Sequence, residues 1–332
     1  MLAILIAAVL WGTTGTAASF LPPGVPPVAT GAATMAIGGL LLFAVSPRTS
    51  WAALRHPTAR RWLLAGGACV VVYPLAFYSS MSLAGVAVGN VVSLGSAPVF
   101  AAVLERAIEG HRLRPAWWGT TGLAVAGIVL LALAGPAHAG NGGAGGAGEA
   151  TAGLALGLVA GASYAGYTYC SRRAMQLGCG SRAAMGAVFG VGAVLLLPVL
   201  IATGAPLTES AASLAIAGYL ALGPMFLAYL LFGAGLRHVR SSSATTLTLL
   251  EPVVATLLAV LVVGERLAPL GWAGIVLIGV ALALLTSRGA AGRARARSDA
   301  RGADRADVVD RAGAPRSQPG EQNPSRPRPA PR

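Results

Sequence analysis

Residues 110–118, GHRLRPAWW, and residues 264–272, GERLAPLGW, decide the fold because they are two copies of one junction. The same offset of 154 positions continues upstream, where Pro98 aligns with Pro252. Nine of the 21 positions in the alignment that starts at these prolines are identical. Each copy joins two long apolar runs, and a duplicated set of apolar helices is typical of membrane proteins built from two related halves. The sequence therefore predicts an internal repeat of membrane helices.

The composition points to lipid as the surrounding solvent. Of 332 residues, 55% are hydrophobic and only 11% are charged, whereas soluble domains carry about 25% charged residues. The net charge of +13 comes from arginine alone, because the chain has no lysine and so no Walker A lysine. The three cysteines form no C-x-x-C pair, so neither a disulfide framework nor a zinc site is indicated. We expect no cofactor and no metal.

Ten apolar runs are long enough to cross a bilayer as helices, which need about 20 residues each. We therefore predict an all-α integral membrane protein with ten transmembrane helices. The predicted spans cover about 2–21, 26–45, 62–82, 86–104, 116–134, 152–171, 183–203, 212–235, 242–263 and 268–286.

The arginines predict the orientation of these spans. If the N-terminus is cytoplasmic, 23 arginines lie in inside loops or in the tail, and Arg266 alone lies outside. This bias supports ten spans with both termini cytoplasmic. We expect a multi-pass protein of the plasma (inner) membrane.

The repeat divides the chain into two halves of five spans. We predict a first five-helix repeat over 1–134, a Gly-rich external linker over 135–150, a second repeat over 151–286, and a disordered Arg-rich cytoplasmic tail over 287–332. Because five is odd, the two halves insert with opposite orientation and form an inverted repeat. The tail lacks aromatic residues between its arginines, so we expect no nucleic-acid partner.

Glu251 is the one Asp, Glu, Arg or His within the ten predicted spans. A charge at that depth costs about 2.5–3.5 kcal/mol on insertion scales, so it usually faces a cavity or the bundle interior. It precedes Pro252, which cannot donate the usual helical hydrogen bond. In the other half the corresponding pair is Ala97–Pro98. Three interpretations stay open: a proton-coupling acid, a ligand for substrate ammonium or hydroxyl groups, and a protonated structural acid.

Other polar and aromatic side chains are candidates for the same cavity. Helical spacing puts Asn90 and Ser93 on one face, and Thr248 lies next to the face that carries Glu251. The alternative for the aromatic residues is interfacial anchoring or packing. The aromatic candidates are Trp11, Tyr73, Tyr164, Tyr167 and Tyr229. Pro98 and Pro252 are the predicted hinges.

The second half resembles the EamA-type repeat of the drug/metabolite transporter superfamily. Residues 237–285 carry an apolar run with a central proline, a G-E-R-L turn and a Gly-rich last helix. The first half is similar but has His111 at the position of the turn glutamate. The resemblance implies ten helices in two inverted repeats and secondary transport or export of small metabolites such as amino acids or drugs, often driven by protons. The arginine that the family often has in its second helix is absent here, so the resemblance names no substrate.

These observations favour a secondary active transporter that works by alternating access. Its expected partners are a small-molecule substrate and membrane lipid, and homo-oligomerisation stays open. The alternatives are efflux of hydrophobic cationic drugs, which would suit an acid among aromatic rings, and a channel or sensor. An enzyme is not expected, because the sequence has neither G-x-S-x-G nor H-E-x-x-H and its four histidines lie outside the spans.

Overall fold

The computed structural model describes residues 1–22, 24–84, 86–110, 115–134, 147–263 and 268–284, and every regular element in these ranges is helical. The predicted all-α class is thus confirmed. In the first half the helices are α1 (Leu2–Ala18), α2 (Pro27–Ala44), α3 (Pro47–Arg55), α4 (Arg60–Ala84), α5 (Val86–Glu109) and α6 (Pro115–Ala134).

The helices of the second half are more often interrupted. They are α7 (Ala147–Gln176), α8 (Ser181–Thr203), α9 (Ala211–Leu220), α10 (Ala228–Leu236), α11 (Ser241–Leu247), α12 (Leu250–Leu258) and α13 (Pro269–Leu284). A π-helical turn, Ala221–Leu227, joins α9 to α10 and contains Pro224. Another, Ala259–Val263, follows α12. Proline cannot donate the helical hydrogen bond, which accounts for an irregular turn at Pro224.

In the repeated junction, the glycine follows the end of one helix and the proline begins the next. Gly110 follows α5 with a φ of +68°, and its amide donates to the Arg106 carbonyl at 3.1 Å. A left-handed glycine is the common residue after a helix C-terminus. Pro115 and Pro269 each begin the next helix, where a missing N–H costs nothing. Residues 264–267, which include Glu265 and Arg266, lie outside the described residues, as does His111.

Several helices have the length and apolarity of membrane spans. Within the described residues, four segments qualify: 60–81, 181–203, 211–236 and 241–262. The segments Val28–Ala44 and Pro47–Arg55 qualify together but are bent by 94°. Shorter apolar helices cover Leu2–Ala18, Pro115–Leu130 and Pro269–Leu284. Each of the ten predicted runs is helical over most of its described residues, with non-helical ends such as 19–21 and the turn at 248–249, whereas the count of ten crossings stays a prediction.

The surface of the bundle is apolar. Large side chains such as Ile201 and Leu261 are exposed to about four-fifths of their area, at 80% and 78%, and many other leucines and valines also point outward. Such a surface would aggregate in water and is suited to lipid. The interior is made of small residues, aromatic rings and hydroxyl groups.

Helix pairs between the two halves pack in corresponding ways. The contact between α4 and α7 corresponds, in the repeat, to the contact between α10 and α1. The contact between α5 and α7 likewise corresponds to the contact between α12 and α1. The pairs α2–α8 and α5–α11 join equivalent helices of the two halves. Small residues permit these approaches: a Cβ on Gly161 of α7 would lie 2.7 Å from the Ser93 carbonyl of α5.

Two features differ from the sequence interpretation. Residues 47–55, assigned to an inside loop, form the amphipathic helix α3, which begins with Pro47 and buries Ser50 and Ala53. Helix α7 begins at Ala147, so the last four residues of the predicted linker 135–150 are helical. Residues 135–146 of that linker and the predicted tail, 287–332, lie outside the described residues.

Candidate functional site

The helix that carries Glu251 is interrupted just before this residue. Helix α11 ends at Leu247 and α12 begins at Leu250. In the turn between them, the Leu249 amide donates to the Thr246 carbonyl at 3.2 Å and the Glu251 amide donates to the Thr248 carbonyl at 2.9 Å. Pro252 has no N–H for the preceding turn. The interruption therefore places a carboxyl group in the first turn of a half-helix at the middle of the predicted span.

Glu251 lies at the wall of a cavity with about 700 Å³ of empty space, part of it open to the outside of the bundle. Helices α1, α2, α4, α7, α9, α10 and α12 and the turn at Pro224 contribute to the wall. Its lining residues are Trp11, Thr14, Gly31, Thr34, Met35, Tyr73, Pro74, Phe77, Tyr78, Tyr164, Tyr167, Leu220, Pro224, Met225, Tyr229 and Glu251.

The cavity lies toward one end of the bundle. Thr14 is near the end of α1, Gly31 is near the start of α2, and Tyr78 is near the end of α4. The arginine pattern predicts that these helix ends lie on the external side.

The surroundings of Glu251 are aromatic. Its carboxylate interacts electrostatically with the phenols of Tyr73, Tyr78, Tyr164 and Tyr229. Among the described side chains that line the cavity there is no basic residue, and Glu251 is the sole carboxylate. The site therefore offers one acid, several aromatic faces and phenol hydroxyls.

One group of rings fixes the inner wall of the cavity. The rings of Tyr164 and Tyr167 stack with centroids 5.2 Å apart, and Tyr73 lies 5.6 Å from Tyr164. The Tyr164 hydroxyl donates to Thr248 Oγ1 at 2.7 Å, and Thr248 Oγ1 donates to the Thr245 carbonyl at 2.9 Å. Helix α7 is thus bonded directly to the turn that precedes Glu251.

A second group of rings adjoins the first. Trp11 of α1 and Tyr229 of α10 have ring centroids 4.8 Å apart. The Trp11 Nε1–H donates to the Pro224 carbonyl at 2.7 Å. The hydroxyls of Tyr229 and Tyr167 are 2.9 Å apart and form a hydrogen bond that joins the two groups. Buried indole and phenol groups need such partners, so the aromatic wall is connected by hydrogen bonds from α1 to α7.

Most of the residues singled out from the sequence meet at this cavity. Trp11, the predicted tyrosines and Glu251 line it, and Thr248 is hydrogen-bonded to Tyr164. Asn90 and Ser93 are not among the lining residues. Ser93 is fully buried beneath α7, where Gly161 approaches its carbonyl. The hinge proline Pro252 adjoins the interruption, whereas Pro98 lies inside the continuous helix α5.

Several lining residues had no distinctive sequence signal. Thr34, Met35, Phe77 and Met225 resemble ordinary residues of apolar helices, and only the packing of their helices brings them to the cavity. A further functional candidate, Glu105, falls one residue beyond the predicted fourth span. It lies within α5 and is fully buried.

The arrangement favours binding of an organic molecule over metal chemistry. Within the described residues, no group of three or more His, Cys, Asp or Glu side chains is arranged to hold a metal ion. A carboxylate among aromatic rings can bind an ammonium group, and the rings can cover an apolar body. The same carboxylate can take up and release a proton.

Comparison with known proteins identifies the family. The model of the EamA-like transporter family matches residues 1–133 and 151–287. The chain belongs to the EamA-like transporter family. This EamA-like chain is 36% identical over 289 residues to the "Uncharacterized transporter YwfM" of Bacillus subtilis (strain 168), covering 86% of this chain and 92% of that protein. A solved crystal structure aligns with a TM-score of 0.67 and 25% identity, covering 86% of this chain and 95% of that one.

The family membership establishes the general function. The protein is a multi-pass membrane transporter, and it acts on a small molecule within a lipid environment. The resemblance stated from residues 237–285 is thereby confirmed. Between them, the two family matches leave out residues 134–150, which include the whole predicted linker, 135–150.

Proposed function

We propose that this EamA-like transporter is a secondary active exporter of small amine-bearing metabolites, such as amino acids or related compounds, and that it couples export to protons through Glu251. The observation that carries the proposal is the isolated carboxylate of Glu251 in an aromatic-lined cavity at the interruption between α11 and α12. An acid at this depth is energetically costly and usually has a function. In this proposal its function is to bind a proton and a substrate ammonium group in alternation.

The packing of the two halves supports alternating access. The pairs α4–α7 and α10–α1, and the pairs α5–α7 and α12–α1, correspond under the sequence repeat. Two such halves related by a pseudo-two-fold axis in the membrane plane can exchange their packing and open the cavity to the other side. In the proposed topology both termini are cytoplasmic and ten helices cross the plasma membrane.

The chemistry of the cavity wall narrows the substrate class. Glu251 provides a partner for a positive group, and Trp11 and Tyr229 provide an apolar and aromatic surface. The described lining contains no basic side chain that would pair with a substrate carboxylate. This last observation favours a second candidate function, efflux of hydrophobic cations, beside export of amino acids.

Transport by the purified full chain in proteoliposomes tests the proposal. An imposed pH gradient should drive accumulation of an amine-bearing test compound, chosen from a panel of amino acids, amino acid esters and the hydrophobic cation tetraphenylphosphonium. The Glu251→Gln variant should lose gradient-driven accumulation. Glu209→Gln, an exposed acid between α8 and α9, is the matched control and should behave as wild type.

The outcomes separate the interpretations of Glu251. If Glu251→Gln still exchanges labelled for unlabelled substrate but ignores the pH gradient, Glu251 carries the proton. If Glu251→Gln also loses substrate binding, the carboxylate is a substrate ligand. Normal gradient-driven transport by Glu251→Gln would overturn the proposal and leave Glu251 a structural acid. Downhill flux that is indifferent to pH in the wild type would indicate a channel.

A further inference from the structure

A second buried acid lies at the other end of the repeated helix. The side chain of Glu105, near the end of α5, is fully buried. Its carboxylate accepts the Ser242 backbone N–H at 3.0 Å and the Ser242 hydroxyl at 2.8 Å. These two bonds, here called the Glu105 clamp, fix the first turn of α11 to α5. A helix start has unpaired N–H groups, which an acidic side chain satisfies well.

A neighbouring contact joins a third helix to the same end of the bundle. Arg172 of α7 donates from Nε to the Val239 carbonyl at 2.8 Å, in the loop before α11. Its guanidinium also lies 3.7 Å from the Glu109 carboxylate of α5. The clamp and the Arg172 contacts therefore connect the end of α5, the last turns of α7 and the start of α11. This end is opposite to the one toward which the cavity opens.

Helix α11 connects the clamp to Glu251. Its start is bonded to Glu105, its Thr246 hydroxyl lies 3.1 Å from that of Thr121 of α6, and Thr248 after its end accepts from Tyr164. Nine residues separate Ser242 from Glu251, which is about 13 Å along a helix axis. Movement of this short helix at the clamp is thus transmitted to the turn that positions Glu251.

We propose that Glu105 is a positioning residue that closes the inner end of the transporter, and that the inner end opens only when the Glu105 clamp separates from α11. This inference rests on the proposed function, because it describes how alternating access to Glu251 is controlled. A buried carboxylate and the N–H groups at a helix start are costly to leave unpaired. The two bonds of Glu105 join α5 directly to the start of α11, so a substitution of Glu105 should weaken the closed arrangement.

Cysteine labelling of the full chain in nanodiscs tests the clamp without a transport assay. A reporter cysteine replaces Ser241, which is fully buried beside the clamp. A water-soluble maleimide is applied, and mass spectrometry measures the labelling rate at position 241. Cys179, half-buried in the loop between α7 and α8, is the internal reference for reagent access. Cys170, buried in α7, reports loss of folding.

The expected result depends on the hydrogen bonds and not on the charge. Glu105→Ala should raise labelling at position 241 about tenfold relative to Cys179, as for a two-state opening that loses two buried hydrogen bonds. Glu105→Gln should restore slow labelling, because its amide can accept the Ser242 N–H and donate to the Ser242 hydroxyl. Glu149→Ala, an exposed acid at the start of α7, is the matched control and should have no effect.

Other results would overturn the inference. Unchanged labelling in Glu105→Ala, or labelling in Glu105→Gln as fast as in Glu105→Ala, would show that the clamp does not close the inner end. If Cys170 becomes reactive in Glu105→Ala, that variant is unfolded and Ser242→Ala is measured instead, with the same expected direction. If the wild type carries no substrate in proteoliposomes, the proposed function fails, whereas the labelling result still decides whether Glu105 closes this end.

Discussion

The two copies of the repeated helix, α5 and the interrupted helix α11–α12, share a proline but carry their acids at different places. The second copy has Glu251 beside Pro252, where the first has Ala97 beside Pro98. The first copy has Glu105 near its end, where the second has Ala259. Helix α5 is continuous through Pro98, whereas the second copy is interrupted at Thr248 and Leu249.

This difference teaches that the proline alone does not set the interruption. Both copies lack the same N–H, yet only the second has a turn fixed from outside by the Tyr164–Thr248 bond. The acid of the second copy, Glu251, faces the cavity, whereas the acid of the first copy, Glu105, binds the start of α11. We infer that α5 is the fixed partner and α11–α12 the element that moves during transport.

The largest expected effect comes from removing the acid that distinguishes the second copy. Glu251→Gln should reduce gradient-driven accumulation in proteoliposomes to the level of protein-free liposomes, because an amide cannot exchange protons and does not attract a cation as a carboxylate does. The measurement is uptake of the identified substrate under an imposed pH gradient. The control is Glu209→Gln, and retention of full accumulation in Glu251→Gln would remove the functional contrast between the two copies.

Introducing an acid at the corresponding position of α5 should destabilise the protein and should not replace the function of Glu251. Ala97 is fully buried and does not line the cavity, so Ala97→Glu should bury an unpaired carboxyl group and destabilise the protein by about 3–5 kcal/mol. Thermal unfolding in detergent measures the effect, with Ala97→Gln as a control for side-chain size. If Ala97→Glu were as stable as the wild type, and if adding it to Glu251→Ala restored transport, the two copies would be interchangeable.

Local sequence patterns predicted the helices but not their interruptions. An apolar run of about 20 residues is a local property, and each predicted span is helical over most of its described residues. The break at Thr248 coincides with a hydrogen bond from Tyr164, which is distant in sequence, and the 94° bend after α2 lies where Pro47 begins the next helix. Glu105 was missed for a related reason: its burial depends on α11, and the predicted span ended one residue earlier.

The candidate site, too, was predictable from the sequence only in part. Glu251 was identifiable because an acid is rare inside an apolar run, and the aromatic residues were identifiable by type. By helical spacing, Asn90 and Ser93 share a face with Ala97, the position that corresponds to Glu251 in the repeat. In the structure Ser93 lies against Gly161 instead of at the cavity wall. The repeat in sequence therefore relates backbone positions, whereas each side chain's surroundings depend on its own half.

The next largest effect should come from replacing Pro252, and replacing Pro98 should affect transport much less. Pro252→Ala restores an N–H at the interruption and should slow transport about tenfold, which corresponds to about 1.4 kcal/mol in the barrier. Pro98→Ala should leave transport within about twofold of wild type and raise the unfolding temperature, because proline is unfavourable within a continuous helix. Initial transport rates and thermal unfolding of both variants check this. Equal slowing by both substitutions would make the two prolines equivalent hinges.

The smallest expected effect concerns the bond that fixes the turn of the second copy. Tyr164→Phe removes the hydroxyl that donates to Thr248 Oγ1 at 2.7 Å, and a buried hydrogen bond contributes about 1 kcal/mol. The transport rate should fall about fivefold, which corresponds to that energy, while the ring stays stacked on Tyr167. Tyr167→Phe is the matched control, because its hydroxyl bonds to Tyr229 and not to the turn. A larger loss of rate in Tyr167→Phe than in Tyr164→Phe would mean that the aromatic wall, and not the interrupted helix, limits transport.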